Sequence, residues 1–233
     1  MANLLNRIFY NLKNLFCPCL FYRSYCASNV YVLKDVPRCD ITMIDSPNNF
    51  IKKMNSVHPQ LTGYIVERIY SCVLMDPSLD TTKILDDICI YSNRPKFDEL
   101  YKIIMNNIDE YVSFCHYVYD NKFINDFICI QDNLTFKINN KCKNKEYKCF
   151  ADIICKDEIV DIKVVKAPFI NKKGNVNNVG AKYYNQLMVY AYGFKRKYDY
   201  YPKQIKIINF YQNNIITWKP QEFEIIDFVK LLN

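Results

Sequence analysis

No stretch of about 18 consecutive apolar residues occurs in this chain, so no transmembrane helix is expected from it. Nor is there a Cys-x-x-Cys pair or a Cys/His cluster at zinc-ligand spacing, although the chain holds 11 cysteines. The closest pair is Cys17 and Cys19. Cys129, Cys149 and Cys155 fall in apolar runs, where a reduced cysteine behaves as a small buried hydrophobe. The expectation is an intracellular protein of a reducing compartment, cytoplasm or nucleus. Internal repeats are also missing. Acidic residues are absent from the first 34 positions, which carry Arg7, Lys13, Arg23 and Lys34 with Leu4, Leu5, Ile8, Leu12, Leu15 and Phe16 at helical spacing. Three readings fit this segment: an organelle-targeting helix, a membrane-surface helix with Cys17 and Cys19 as acylation sites, or a helix packed on protein, the last being favoured.

What is present points to a folded core. Of 233 residues, 50% are hydrophobic and 15% aromatic, which predicts one domain with extensions. The formal charge is +7, and residues 134–182 hold 11 lysines against 5 acids, a balance that suits either a phosphate-backbone partner or a solvated Lys- and Asn-rich loop. Residues 1–55 read as an N-terminal extension whose last part, 39–55, is a loop or linker rich in Asp, Ser, Pro and Asn. Residues 56–122 read as helical, with helices over 60–75, 81–90 and 96–119. Residues 123–233 read as an α/β core, with strands over 127–139, 148–155, 159–165, 204–211 and 215–218 and helices over 181–199 and 221–232. The fold class is therefore α/β, a central mixed β-sheet flanked by helices, with a helical N-terminal half.

Residues 150–165 read as a hairpin turning at Lys156 and Asp157. That register sets Ile154 opposite Ile159, Ile153 opposite Val160, and Asp152 opposite Asp161. Side chains alternate along a strand, so Asp152, Asp161 and Lys163 share one face with Phe150, Ile154, Ile159 and Val165. Ala151, Ile153, Val160, Ile162 and Val164 share the other. Three charges thus sit where packing alone would place Val or Ile. Like charges directly opposed in a sheet are destabilising, so a raised pKa, the Lys163 ammonium or a divalent cation must offset them. A cation has the widest reach, because Mg²⁺ takes carboxylate oxygens, retains water and bridges to phosphate. A surface hairpin whose lysine simply neutralises two aspartates is the plainer alternative.

Asp152, then Asp161-Ile-Lys163, then Gln186-Leu-Met-Val-Tyr190 on the following helix resembles the RecB-like and lambda-exonuclease-like branch of the PD-(D/E)XK nuclease superfamily. The likeness lies in an aspartate, a D/E-x-K triplet and a Gln-x-x-x-Tyr helix motif occurring in that order, and it covers about residues 67–211. It implies a restriction-endonuclease-like core, with Mg²⁺ or Mn²⁺ held by Asp152, Asp161 and the carbonyl of Ile162, and with Lys163 as the catalytic lysine. Gln186 and Tyr190, four apart on one helix face, would both reach the metal site or the DNA backbone. The family's upstream acid would be Glu67 in Gly63-Tyr-Ile-Val-Glu67, serving as a further ligand, with His58 and His116 as alternatives. Some members of this branch bind an iron-sulfur cluster through cysteines beyond the Gln-x-x-x-Tyr helix. No cysteine follows Cys155 here, so no cluster is expected. Ala151 and the run Lys163-Val-Val-Lys166 depart from the family's usual Gly before the first Asp and Lys-Thr-Gly-like ending. Lys166, Lys172, Lys173 and Lys182 would form a rim that positions a DNA backbone without reading sequence.

The leading expectation is a Mg²⁺- or Mn²⁺-dependent DNA nuclease, an exonuclease acting on single strands or duplex ends in repair, recombination or genome processing. A catalytically inactive member of the same fold that binds nucleic acid or a protein is the second. A membrane-associated interaction protein working through the basic N-terminus is the third, and that contact is compatible with the first.

Overall fold

The apolar periodicity of the first half and the β-branched runs of the second sort the chain into helices that come first and a sheet assembled largely afterwards. The computed structural model describes residues 22–30, 36–76, 78, 80–120, 124, 126–139 and 144–232. The acid-free segment bearing Arg7, Lys13, Cys17 and Cys19 lies outside them. In chain order the elements begin with β1 (Tyr22–Cys26) and β2 (Asp40–Met43). Five helices follow: α1 (Asn49–Val57), α2 (Pro59–Met75), α3 (Thr81–Ile88), α4 (Phe97–Met105) and α5 (Ile108–Asp120). Then come β3 (Phe127–Asn133), β4 (Phe136–Asn139), β5 (Asn144–Lys148), β6 (Phe150–Cys155) and β7 (Glu158–Lys163). The chain ends with α6 (Asn178–Tyr198), β8 (Gln204–Asn209), β9 (Asn214–Trp218) and α7 (Glu222–Leu231).

Six strands form a mixed sheet in the order β2-β9-β8-β7-β6-β3, in which β7 and β8 run parallel and the other neighbours antiparallel. The parallel step is bridged by α6, as a crossover must be. A second sheet of order β1-β5-β4 stands beside it. Both faces of the large sheet are covered. Ile153, Val160, Ile162 and Ile208 share one apolar core with residues of α1, α2, α4 and α5, among them Phe50, Ile65, Leu100 and Phe114. Ile154, Ile159, Ile205, Ile207 and Ile216 share the other with Leu187 and Phe194 of α6 and Phe228 of α7. Each such fully buried side chain contributes about 1.5–3 kcal/mol over leaving it exposed. Among the described residues no helix is long and apolar enough to cross a membrane, and no described cysteine is in a disulfide.

Three sequence expectations need correction. The loop expected over 39–55 contains β2, which pairs with β9, and α1, whose Phe50, Ile51 and Met54 are fully buried. Asp45, Ser46, Pro47 and Asn48, which suggested a linker, form the turn between them, where Asn48 Nδ2 donates to the Phe210 carbonyl at 2.8 Å and to Asn213 Oδ1 at 2.7 Å. The single helix expected over 96–119 is broken into α4 and α5 at Asn106 and Asn107. The Asn107 amide donates to the Ile103 carbonyl at 2.6 Å, the local competition with the backbone that makes Asn a poor helix former. The strand expected over 127–139 is two, β3 and β4, which belong to different sheets and part at Leu134.

That parting brings Leu134 against α6 at Gly193, where an added Cβ would lie 2.3 Å from the Leu134 carbonyl oxygen and 2.9 Å from its Cβ. Gly193→Ala should therefore destabilise the fold by about 1–3 kcal/mol through overpacking, despite alanine's better helix propensity. Thermal unfolding tests this, and an unchanged or higher Tm would mean that α6 can draw back from Leu134 at no cost.

Candidate active site

The turn at Lys156 and Asp157 sets Ile154 opposite Ile159 and Ile153 opposite Val160, the register expected from the sequence. The ladder between β6 and β7 ends there. One step further on, the Ile162 N–H donates to the Asp152 carboxylate at 2.7 Å. Asp152 thereby faces a donor and not a second bare carboxylate. The direct Asp152–Asp161 pairing expected from the alternation is absent, because a backbone N–H is a far better neighbour for a carboxylate than another carboxylate. Ala151 departs with it, packing in the α6 core while Ile153 packs in the α2 core.

Asp161 remains on β7 and is 1% exposed. Its Oδ2 forms an ion pair with Lys163 Nζ, and neither of its oxygens accepts a well-formed hydrogen bond. Lys163 Nζ also donates to the Ile162 carbonyl at 3.2 Å and lies 5.5 Å from the centre of the Tyr183 ring, a cation–π contact. Burial works against the Lys163 charge, but Asp161 and Asp152 outweigh it and hold the lysine above its ordinary pKa.

Helix α6 lies over this pair. Tyr183, Gln186 and Tyr190 recur at intervals of three and four on it, so they fall on one face. Gln186 Nε2 donates to Tyr190 Oη at 2.6 Å, both side chains being buried. Burial, with Asp161 and Asp152 nearby, pushes the Tyr190 phenol up, so it stays neutral and able to donate.

Glu67 arrives from α2, on the opposite side of the sheet. Its Oε1 accepts from Gln131 Nε2 at 3.1 Å. Burial raises its pKa, opposed by the Gln131 hydrogen bond and by Lys163, with Asp161 adding to the rise. Asp152 is raised well above the usual carboxylate range, first by burial and then by Asp161, with Lys163 opposing and Glu67 adding further. Asp152, Asp161, Lys163 and Glu67 are thus one electrostatic group, drawn from three separate parts of the chain.

All the residues singled out by the sequence therefore gather here: Asp152, Asp161, the Ile162 carbonyl, Lys163, Glu67, Gln186 and Tyr190. The two histidines offered as alternatives to Glu67 do not join them. His58 caps α2, its Nδ1 accepting from Leu61 N at 3.1 Å, and His116 lines a small surface pocket with Asp76 and Tyr119. Lys166, Lys172 and Lys173 are exposed and Lys182 half-buried along the segment that leaves β7 and enters α6.

Three neighbours escaped the sequence reading. Tyr183 could have been found as the position one turn before Gln186. Asn209, the parallel partner of Lys163 in β8, is fully buried and clamps the chain just beyond it, accepting from Val165 N at 3.1 Å and donating to Val165 O at 3.0 Å. A polar residue directly after Ile207 and Ile208 and before Phe210 was its signal. Gln131 had none. It sits in β3 between the Ile130–Ile153 and Asp132–Ala151 pairs with φ 49°, a left-handed backbone that costs about 1–3 kcal/mol in a residue other than glycine and gathers at functional sites.

The donor set suits a hard divalent cation. Mg²⁺ and Mn²⁺ take carboxylate and carbonyl oxygens, and here two aspartates, a glutamate and a backbone carbonyl are in one group, with Lys163 the one donor that reaches Asp161. Among the described residues no three acidic, Cys or His side chains close into a ready metal cluster. Lys163 instead supplies the positive charge at Asp161. A scan against protein-family models returned no match, and a search of curated proteins returned no significant relative.

The raised carboxylates carry a pH signature. Folded Asp152 and Glu67 retain protons that the unfolded chain releases near its ordinary pKa of about 4, so stability falls as pH rises from there through the raised folded values. Without divalent metal, the protein should melt higher at pH 5 than at pH 7.5. Asp152→Asn, which keeps an acceptor for Ile162 N, should narrow that difference and raise the Tm at pH 7.5. Equal pH dependence in the two proteins would show that Asp152 is charged at no cost.

Proposed function

We propose that this protein is a metal-dependent DNA nuclease on a restriction-endonuclease-like core, working as an exonuclease on single strands or duplex ends. The observation that carries the reading is the buried Asp161–Lys163 pair at the end of an interior strand, with Asp161 held by no donor other than the Lys163 ammonium and two further carboxylates, Asp152 and Glu67, in electrostatic reach. The order of Asp152, Asp161-Ile-Lys163 and Gln186-x-x-x-Tyr190 supports it, since the resemblance to the PD-(D/E)XK nucleases rests on those same residues. The chain's organisation, two hairpin strands followed by a helix lying over them, accords with that likeness.

Asp152, Asp161, Glu67 and the Ile162 carbonyl would hold Mg²⁺ or Mn²⁺, which when bound lowers the pKa of water and withdraws charge from a phosphoryl oxygen. The remaining work falls to the chain's own groups. Lys163, held protonated by two aspartates, acts as a donor: it orients the attacking water and stabilises charge developing on the phosphate, and it does not serve as a base in this charge state. The Gln186–Tyr190 pair is locked by its own hydrogen bond and offers a neutral phenol to the same end of the site. Exposed Lys166, Lys172 and Lys173 suit backbone phosphates passing the site. One observation favours the alternative of an inactive, nucleic-acid- or protein-binding relative: the carboxylates do not close into a three-ligand cluster.

End-labelled linear single- and double-stranded DNA, incubated with Mg²⁺, Mn²⁺ or EDTA, separates the two. Wild-type protein should release label only with metal. Asp161→Ala should abolish release, and Lys163→Ala should slow it by about 10²- to 10³-fold, the usual contribution of one positioned donor to developing charge. DNA binding without cleavage under every metal condition would sink the catalytic reading and leave the inactive one.

A further inference from the structure

Helix α2 brings more than Glu67 to the site. Gln60 and Tyr64 are four apart, as are Gly63 and Glu67, and Gln60–Gly63 and Tyr64–Glu67 are three apart, so the four lie along one side of the helix. Tyr64 is 38% exposed, and its ring stacks on that of Tyr91, with centroids 6.2 Å apart and planes 21° from parallel. Gln60 Nε2 donates to Tyr64 Oη at 2.9 Å. A Cβ built on Gly63 meets nothing within 4 Å, so this glycine is not required by close packing and the helix face between Tyr64 and Glu67 is open.

Two arginines flank the tyrosines. Arg68 pairs with Asp87 through Nη2 at 3.4 Å, and its Nε has no hydrogen-bond partner. Arg94 is exposed and enters no ion pair among the described residues, while its N–H, bonded to the Tyr91 carbonyl at 2.8 Å, ties it to the same turn. Burial raises the Tyr91 phenol, Glu67 raises it further, and Arg68 and Arg94 oppose, so these groups surround one another. Tyr91 is partly buried against the helical core, whereas Tyr64 stands at the surface on the helix that carries the candidate acid.

We infer that the Tyr64–Tyr91 platform is a binding subsite for an unpaired nucleobase of a single-stranded DNA substrate, with Arg94 taking the adjoining phosphate and the strand passing Gly63 towards Glu67. Base-on-aromatic stacking is indifferent to sequence, and arginine beside it meets the backbone charge, a combination that suits single strands and leaves a duplex little to gain. The inference rests on the nuclease reading and narrows its substrate to strands with unstacked ends.

The test measures binding and cleavage separately. Full-length protein in EDTA is titrated against a fluorescein-labelled oligo(dT) and a labelled blunt duplex, and release of label from the same oligo(dT) is followed with Mn²⁺. Tyr64→Leu should weaken oligo(dT) binding at least about fivefold, with duplex binding little changed and Tyr64→Phe retaining wild-type affinity. Arg94→Ala should lower the salt slope for oligo(dT) by about 0.7, the value of one single-strand phosphate contact. Gly63→Met, which favours the helix, should keep or raise the Tm and yet obstruct oligo(dT). Cleavage by the wild type, with single-strand affinity unchanged in Tyr64→Leu and Gly63→Met, would overturn the subsite and leave the nuclease standing. Equal loss on oligo(dT) and duplex would also overturn it. Tyr64-dependent oligo(dT) binding without cleavage would support the subsite and sink the nuclease.

Discussion

The structure turns on one buried ion pair. Asp161 and Lys163, two residues apart on the central strand β7, sit where both faces of the sheet are covered by helices. Taking such charges out of water costs several kcal/mol per ion before their attraction returns any of it, and a hydrophobic pair would have held the sheet as well. The surroundings read as compensation for that choice. Asp152 takes the Ile162 N–H, so the hairpin ladder ends early. Tyr183 places its ring by the ammonium, and Asn209 bonds both the N–H and the carbonyl of Val165, anchoring the strand just beyond the lysine. Gln131 adopts a left-handed backbone and hydrogen-bonds Glu67.

That compensation also explains where the site lies. An uninterrupted sheet would separate the two apolar cores completely. Here the β6–β7 ladder stops at Ile153 and Val160, and groups from both sides meet at the break. Glu67 comes from the helices of one core and Tyr190, bonded to Gln186, from α6 in the other, and both Glu67 and Tyr190 are in electrostatic contact with the same aspartates. A polar cluster is tolerable at such a junction because the strands there no longer need each other's backbone groups.

Much of this was legible in the sequence, for reasons that can be named. The hairpin could be placed because a two-residue turn at Lys156 and Asp157 fixes the register, and a period of two then assigns each side chain to a face. Asp152, Asp161 and Lys163 stood out as charges set among the apolar residues of 150–155 and 159–165. What failed was whatever depended on distant partners. The stretch now seen as β2 and α1 looked like a linker because its composition is polar, yet the run Asp45-Ser-Pro-Asn48 is one turn whose Asn48 bonds residues far along the chain. Ala151 left its expected face because Asp152, its neighbour, answers to Ile162 and not to strand alternation. Gln131 carried no signal, since its importance comes from a backbone conformation and from a glutamate 64 positions away.

The charge state of the site bears on how it would act. Asp152 and Glu67 are raised while Lys163 is raised too, so negative charge is limited by retained protons and balanced by the Lys163 ammonium. A divalent cation taken up by the same carboxylates would displace those protons, because metal binding and protonation compete for the same lone pairs. It would also compete with Lys163 for Asp161. The ammonium, relieved of its partner but still beside it, would then be the nearest donor to whatever the carboxylates have gathered. The pair that balances charge among these carboxylates is thus the same pair that, once separated, would leave a positive group free to meet a phosphate.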